Sequence, residues 1–116
     1  MRYILLIYTA EAGHPAYGSP ASNAEMAGYM AFTEEISKAG IMLAGEPLAE
    51  VATATTVRVR DGKMTTTDGP FAETREQLGG FYMIEGRDLD HAIEVAAKIP
   101  GALIGSIEIR PIMEMG

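Results

Sequence analysis

Arg2-Tyr3-Ile4-Leu5-Leu6-Ile7-Tyr8-Thr9 decides how the rest of the chain must fold. Its apolar part is too short to cross a bilayer, and no small-residue cleavage site follows, so it reads as a strand and not as a membrane span or a leader. Successive side chains of a strand point to opposite faces, so Ile4-Leu5-Leu6-Ile7 is apolar on both. A strand of that kind is normally covered on both sides. Ile41-Met42-Leu43 repeats the pattern.

Working outward, Ala10 to Ser22 carries Gly13, Pro15, Gly18 and Pro20 and reads as a loop, long enough to edge a site. Ser22 and Glu25 match the S-x-x-E capping box and predict a helix start. Met26, Tyr29, Met30, Phe32 and Ile36 follow near helical period, and Gly40 is a natural C-terminal cap. A second strand is expected over Ile41–Gly45. Thr53 to Arg60 alternates and is β-branched; Asp61-Gly62 then supplies a two-residue hairpin turn, and Lys63 to Thr67 returns. Asp68 to Gln77 reads as irregular, and Gly80 to Glu85 as a strand. Asp88 caps a second helix with Leu89, Ala92, Ile93, Ala96 and Ala97 on one face, and Pro100 stops it. Ser106 to Arg110 alternates as a last strand.

The order is β-α-β, a hairpin, then β-α-β. This predicts one α+β domain over residues 1–116, a ferredoxin-like split βαβ with an inserted β-hairpin. Two helices cover one sheet face only. The second face calls either for a second copy of the chain or for the hairpin and the 10–22 loop to fold over it. A homodimer is the more economical answer, since most soluble oligomers are symmetric pairs.

Composition narrows the function. The chain has 116 residues and a net charge of −7, with Arg2 and Lys38 the only basic residues before Arg58. Such a field repels a polyanion, which argues against direct binding of nucleic acid. There is no cysteine, which excludes disulfides, thiolate metal sites and a Cys nucleophile. A cytoplasmic protein is expected. The methionines Met30, Met42 and Met83 read as adaptable core filler. Gly79-Gly80 precedes a strand and so is no phosphate loop. Glu11 and His14 form an E-x-x-H in a loop, and Asp88 and Asp90 a D-x-D at a helix start, which is thin support for metal; no cofactor is expected.

Thr67-Asp68-Gly69-Pro70-Phe71-Ala72-Glu73-Thr74-Arg75-Glu76-Gln77 resembles the signature of the DGPF group of the YCII-related family, with Arg75 where the usual form has Lys. Gly45-Glu46-Pro47-Leu48, Asp88-Leu89-Asp90 and Glu108-Ile109-Arg110-Pro111 are similar to the family too, so the likeness runs along nearly the whole chain. The resemblance implies a ferredoxin-like fold that forms a dimeric α/β barrel. Some relatives are fused to, or encoded beside, sigma factors, which implies a link to transcription. Distant relatives include a dehalogenating enzyme of aromatic degradation, in which a His–Asp pair is the suspected active site. No such pair is apparent here: His14 lies in the Gly/Pro-rich loop, and His91 in the first turn of the second helix beside Glu94 and Lys98.

Two readings of Asp68 to Glu76 follow. In the functional one, Asp68 and Glu73 are a catalytic carboxylate pair at a pocket, one holding a proton and the other charged. Arg75 with Arg58 then binds a small anionic molecule, beside Pro70 and Phe71, with Glu46 as a further carboxylate. In the structural one, Asp68 accepts hydrogen bonds within its own turn, Phe71 anchors in the core, and Glu73 pairs with Arg75. The first makes the protein a small-molecule binder or cofactor-independent enzyme. The second makes it a regulatory or interaction module linked to sigma-factor-dependent transcription.

Overall fold

The computed structural model describes residues 1–115. The strands are β1 (Arg2–Thr9), β2 (Met42–Pro47), β3 (Thr55–Arg60), β4 (Lys63–Asp68), β5 (Gln77–Glu85) and β6 (Ser106–Pro111), and the helices are α1 (Pro20–Lys38) and α2 (Leu89–Ala96). Single 3₁₀ turns lie at Glu11–Gly13, Val51–Thr53 and Pro100–Leu103. Strands β2-β5-β1-β6 form one antiparallel sheet in that order, and β3-β4 form a separate two-stranded ribbon. This is the expected split βαβ order with a ribbon inserted between neighbouring strands of the main sheet.

The pleat of β1 sorts its side chains. Tyr3, Leu5, Ile7 and Thr9 are buried on the face beneath the helices. There they join Phe32 and Ile36 of α1, Tyr82 and Ile84 of β5, and Ala92, Val95, Ala96 and Ile99 around α2 in one core. Phe32 meets Tyr82 edge to face, with ring centroids 5.0 Å apart. Ile4, Leu6 and Tyr8 take the opposite face, beside their cross-strand partners Met83, Phe81 and Leu78. That face is apolar down its two central strands and only half-buried. Glu108 and Arg110 of β6 and Glu46 of β2 flank the apolar stripe.

Several local expectations are met. Asp61 (φ 53°) and Gly62 (φ 75°) make the two-residue turn with positive φ at both centres. The Asp88 side chain accepts from the His91 backbone N–H at 2.8 Å and caps α2.

Others are corrected. The first helix starts at Pro20, not after Ser22: the Ser19 hydroxyl accepts from the Ser22 N–H at 3.2 Å, and Pro20 sits at the first helical position. A proline there loses no hydrogen bond, because the first-turn N–H groups have no partner in the helix. Ser22 therefore lies inside the helix, and the capping box with Glu25 does not form. The inward stripe of α1 is Ser22, Glu25, Tyr29, Phe32 and Ile36, while Met26 and Met30 face outward. In α2 the buried positions are Ala92, Val95 and Ala96; Leu89 and Ile93 are exposed.

The ribbon does not fold over the open sheet face. Its substantial contacts are within itself. It stands away from the body, and the radius of gyration is accordingly 16.1 Å, against about 13 Å for a compact chain of this size.

Leu5 is fully buried at the centre of β1. Leu5→Ala is expected to cost about 3 kcal/mol, within the range for a buried Leu cut to Ala in a core that cannot collapse. Urea unfolding would measure it, and a loss under 1 kcal/mol would show that this core is not the one that holds the sheet.

Candidate functional site

The segment Asp68–Glu76 does not gather into a pocket within the protomer. Asp68, Pro70, Phe71, Ala72, Glu73, Thr74 and Arg75 are all exposed. Phe71 is 78% exposed, so it does not anchor in the core. Among the described residues the Asp68 carboxylate accepts no hydrogen bond, and Glu73 and Arg75 form no ion pair. The bend is held by the backbone instead: the Gly69 N–H donates to the Ala54 carbonyl at 2.7 Å, and the Thr56 hydroxyl to the Gly69 carbonyl at 2.9 Å. Arg58 and Glu46 are exposed as well, and converge neither with each other nor with Arg75 in any ion pair.

The end of the segment is tied down more firmly. The Ser106 hydroxyl donates to Glu76 at 2.9 Å, and the Gln77 amide donates to the Thr74 carbonyl at 2.6 Å. The Gln77 side-chain oxygen accepts from the Glu11 N–H at 2.9 Å, and the Glu11 carboxylate accepts from the Val51 N–H at 3.0 Å. Glu11 therefore joins the loop after β1 to the strand start of β5 and to the root of the ribbon. Its side chain is spent on that link and does not pair with His14.

His14 has other partners. Strand β1 ends with Thr9 on the buried face, 6% exposed. A hydroxyl in that position needs a partner, since an unpaired buried polar group is costly. The Thr9 Oγ1 lies 2.9 Å from His14 Nε2. The other ring nitrogen, Nδ1, lies 3.4 Å from a Glu25 carboxylate oxygen on the inward face of α1. Because Ser19 caps the helix, Glu25 is free to make this contact.

The surroundings are fitted closely. A Cβ on Gly101 would stand 2.7 Å from the Tyr29 hydroxyl and 2.9 Å from Ile7, and a Cβ on Gly105 would run into the Tyr8 carbonyl. The 3₁₀ turn after α2, and Gly105 just beyond it, can approach the end of β1 so closely because neither glycine carries a side chain. Tyr29 sits one turn beyond Glu25 along α1. Burial pushes its phenol above the ordinary range, the Glu25 charge adds to this, and the Gly101 backbone pulls the other way.

These contacts set one ring nitrogen of the exposed His14 against a hydroxyl and the other within ion-pair distance of a carboxylate. A carboxylate beside Nδ1 favours the tautomer with the proton there, which leaves the Nε2 lone pair to accept from Thr9 or from a bound molecule. This is the orientation in which a histidine acts as a base with a carboxylate behind it. His91 is turned differently: its Nδ1 accepts from the Arg87 N–H at 3.0 Å, at the helix start. It lines an open hollow with Met1, Ala39, Ile41, Glu85, Gly86 and Arg87, at the opposite end of β1 from Thr9.

The fold and this dyad define the chain as a small α+β domain with a histidine–carboxylate pair at the end of its first strand. It belongs to the YCII-related domain family, which matches residues 1–116. The chain is 34% identical over 114 residues to an uncharacterized protein of Rhizobium meliloti (strain 1021), covering 97% of this chain and 92% of the other. Its fold is similar to that of 5-chloro-2-hydroxyhydroquinone dehydrochlorinase (TftG) from Burkholderia phenoliruptrix AC1100, solved in complex with 2,5-dihydroxybenzoquinone. The TM-score is 0.53 at 13% identity, over 99% of this chain and 96% of that one. At that identity the likeness concerns the fold. Among the described residues no helix is long and apolar enough to cross a membrane.

Sequence reasoning left His14 as a residue of the Gly/Pro-rich loop, and it missed Thr9 and Glu25 as its partners. The available signal was a loop histidine followed by an inward-facing helix carboxylate.

The raised Tyr29 phenol gives a pH test. Its folded value lies above the unfolded one, about 10. The stability it contributes is full below that pH and lost as pH rises through the folded value. Tyr29→Phe should therefore lose less stability than the wild type between pH 8 and pH 11. Urea midpoints at both values would show this, and equal losses would contradict it.

Proposed function

We propose that this protein is a cofactor-independent, enzyme-like binder of a small acidic or phenolic molecule, in which His14 transfers a proton and Glu25 orients it. The single observation that carries this reading is the chain of contacts Thr9 Oγ1–His14–Glu25 at the end of β1. A histidine held between a buried hydroxyl and a carboxylate has its ring plane and tautomer set before any ligand arrives, which is what general acid–base work requires. The ligand class rests on this site and on the TftG likeness, since that neighbour holds a small dihydroxylated quinone.

The reading places the protein in the DGPF branch of the family, working in the cytoplasm as a homodimer. The two half-open sheet faces, each with Ile4, Leu6, Phe81 and Met83 down its centre, pair to close an α/β barrel. The segment Asp68–Glu76 leaves the sheet at the same end as Thr9, because β5 begins at Gln77, the cross-strand partner of Thr9. Asp68 and Glu73 are then carboxylates, and Arg58 and Arg75 anion-binding groups, for the rim of the closed pocket, together with Pro70, Phe71 and Glu46. No observation favours the alternative of a sigma-factor-linked module, and it is not proposed.

The test uses 2,5-dihydroxybenzoquinone as the probe, with titration calorimetry on wild type and on His14→Gln. Wild type is expected to bind, and the variant to bind at least tenfold more weakly with an unchanged circular dichroism spectrum. Equal affinity in the two proteins would remove His14 from the site, and no binding by wild type at millimolar probe would reject the ligand class.

A further inference from the structure

Acidic side chains outnumber basic ones by 16 to 9, so a cation on the body of this protein readily meets a carboxylate. Arg2, Lys38, Lys98 and Arg110 each lie within ion-pair distance of a glutamate. Among the described residues Arg87 does not, although Glu85, Asp88 and Asp90 lie within three positions of it in the chain. Two of these neighbours are engaged elsewhere. The Glu85 carboxylate lies 2.9 Å from the Met1 ammonium, which also donates to the Gly86 carbonyl at 3.2 Å. One Asp88 oxygen accepts from the His91 N–H and caps α2. Asp90 stands exposed in the first turn of that helix.

Arg87 borders the hollow at the opposite end of β1 from Thr9. Its volume is about 510 Å³, within the span of about 300–1,000 Å³ that holds small molecules. Ala39 and Ile41 give the hollow an apolar wall. His91 brings a second donor. Its Nδ1 accepts from the Arg87 N–H, so the neutral ring carries its proton on Nε2, which has no hydrogen-bond partner among the described residues. Gly86 lets the turn between β5 and α2 lie against Tyr3, since a Cβ there would stand 3.0 Å from the Tyr3 ring. The carboxylate at the hollow is thus neutralised by the ammonium, while the Arg87 guanidinium and the His91 Nε2–H stay open.

We propose that this hollow binds a small monocarboxylate with an apolar body. Arg87 takes the carboxylate in the two-pronged contact that guanidinium and carboxylate share, and His91 Nε2–H donates to it. Ala39 and Ile41 cover the apolar part. One free cation suits one negative charge, and Glu85, Asp88 and Asp90 close by disfavour a second. The start of α2 adds no free donor at its cap, because Asp88 occupies it. The site is separate from that of His14 and does not depend on it.

Sodium benzoate is the probe, followed by proton–nitrogen NMR of the backbone amides of the full chain. Wild type is expected to bind it with a dissociation constant of about 1 mM, with shifts at the amides of residues 86–91. Arg87 is exposed and makes no ion pair, so Arg87→Gln should keep the wild-type melting curve and bind benzoate about fivefold more weakly, the size of an exposed charge contact. His14→Gln should bind benzoate as wild type does. Benzyl alcohol, the same body without the charge, and inorganic phosphate, charge without the body, should both bind more weakly than benzoate. Equal affinity in Arg87→Gln and wild type would overturn the site, as would unmoved amides over residues 86–91 at about 20 mM benzoate, well above that constant. Benzoate binding lost in His14→Gln would place the ligand at the other end of β1 and overturn it too. Phosphate or benzyl alcohol binding as tightly as benzoate would overturn the monocarboxylate.

Discussion

The alternation of side chains along β1 is the constraint from which the rest follows. A pleated strand cannot turn two neighbours to the same face. Once Leu5 and Ile7 go beneath the helices, Ile4, Leu6 and Tyr8 must face the other way, and Thr9 must follow Ile7 inward. One choice of register thus produces the core, the half-open apolar face and a buried hydroxyl at the strand's end. A one-residue slip would expose the core set and bury the other. The antiparallel partners β5 and β6 hold that register from both sides.

The buried hydroxyl connects fold to chemistry. Thr9 ends the strand in a place where its oxygen must be satisfied from within the protein, and the loop that follows brings His14 back to it five residues later. Glu25 completes the arrangement from α1. The helix can present Glu25 inward because Ser19 and Pro20 set its start three residues ahead of where the S-x-x-E pattern puts it. The 3₁₀ turn after α2 closes the other side, with Gly101 beneath the Tyr29 hydroxyl. The site is thus assembled from one strand end, one loop, one helix face and one turn.

Much of the fold was legible in the chain, for reasons that can be traced. The run Arg2 to Thr9, the Asp61-Gly62 turn, the Asp88 cap and the alternation of Ser106 to Arg110 are local signals, and each formed where its chemistry placed it. The α1 stripe was legible only in part: Tyr29, Phe32 and Ile36 face inward as their period put them, but Met26 and Met30 are apolar without being inward. The site was not legible. Its three residues have no motif spacing, and reading Ser22 with Glu25 as a capping box assigned the key carboxylate to a backbone N–H that Ser19 takes. The distinctive Asp68–Glu76 stretch drew attention away, yet within one protomer its side chains stand in solvent and its bend is held by backbone groups.

The central claim is that Glu25 fixes the His14 tautomer so that Nε2 is the free base. The protein has two histidines, and they are held in opposite senses: His14 has a carboxylate at Nδ1, while His91 accepts a backbone N–H at Nδ1. Long-range proton–nitrogen NMR of the side chains reads the two tautomers directly. The account predicts a protonated Nδ1 with a bare Nε2 for His14, and the reverse for His91. A His14 ring protonated at Nε2, in the same tautomer as His91, would contradict it.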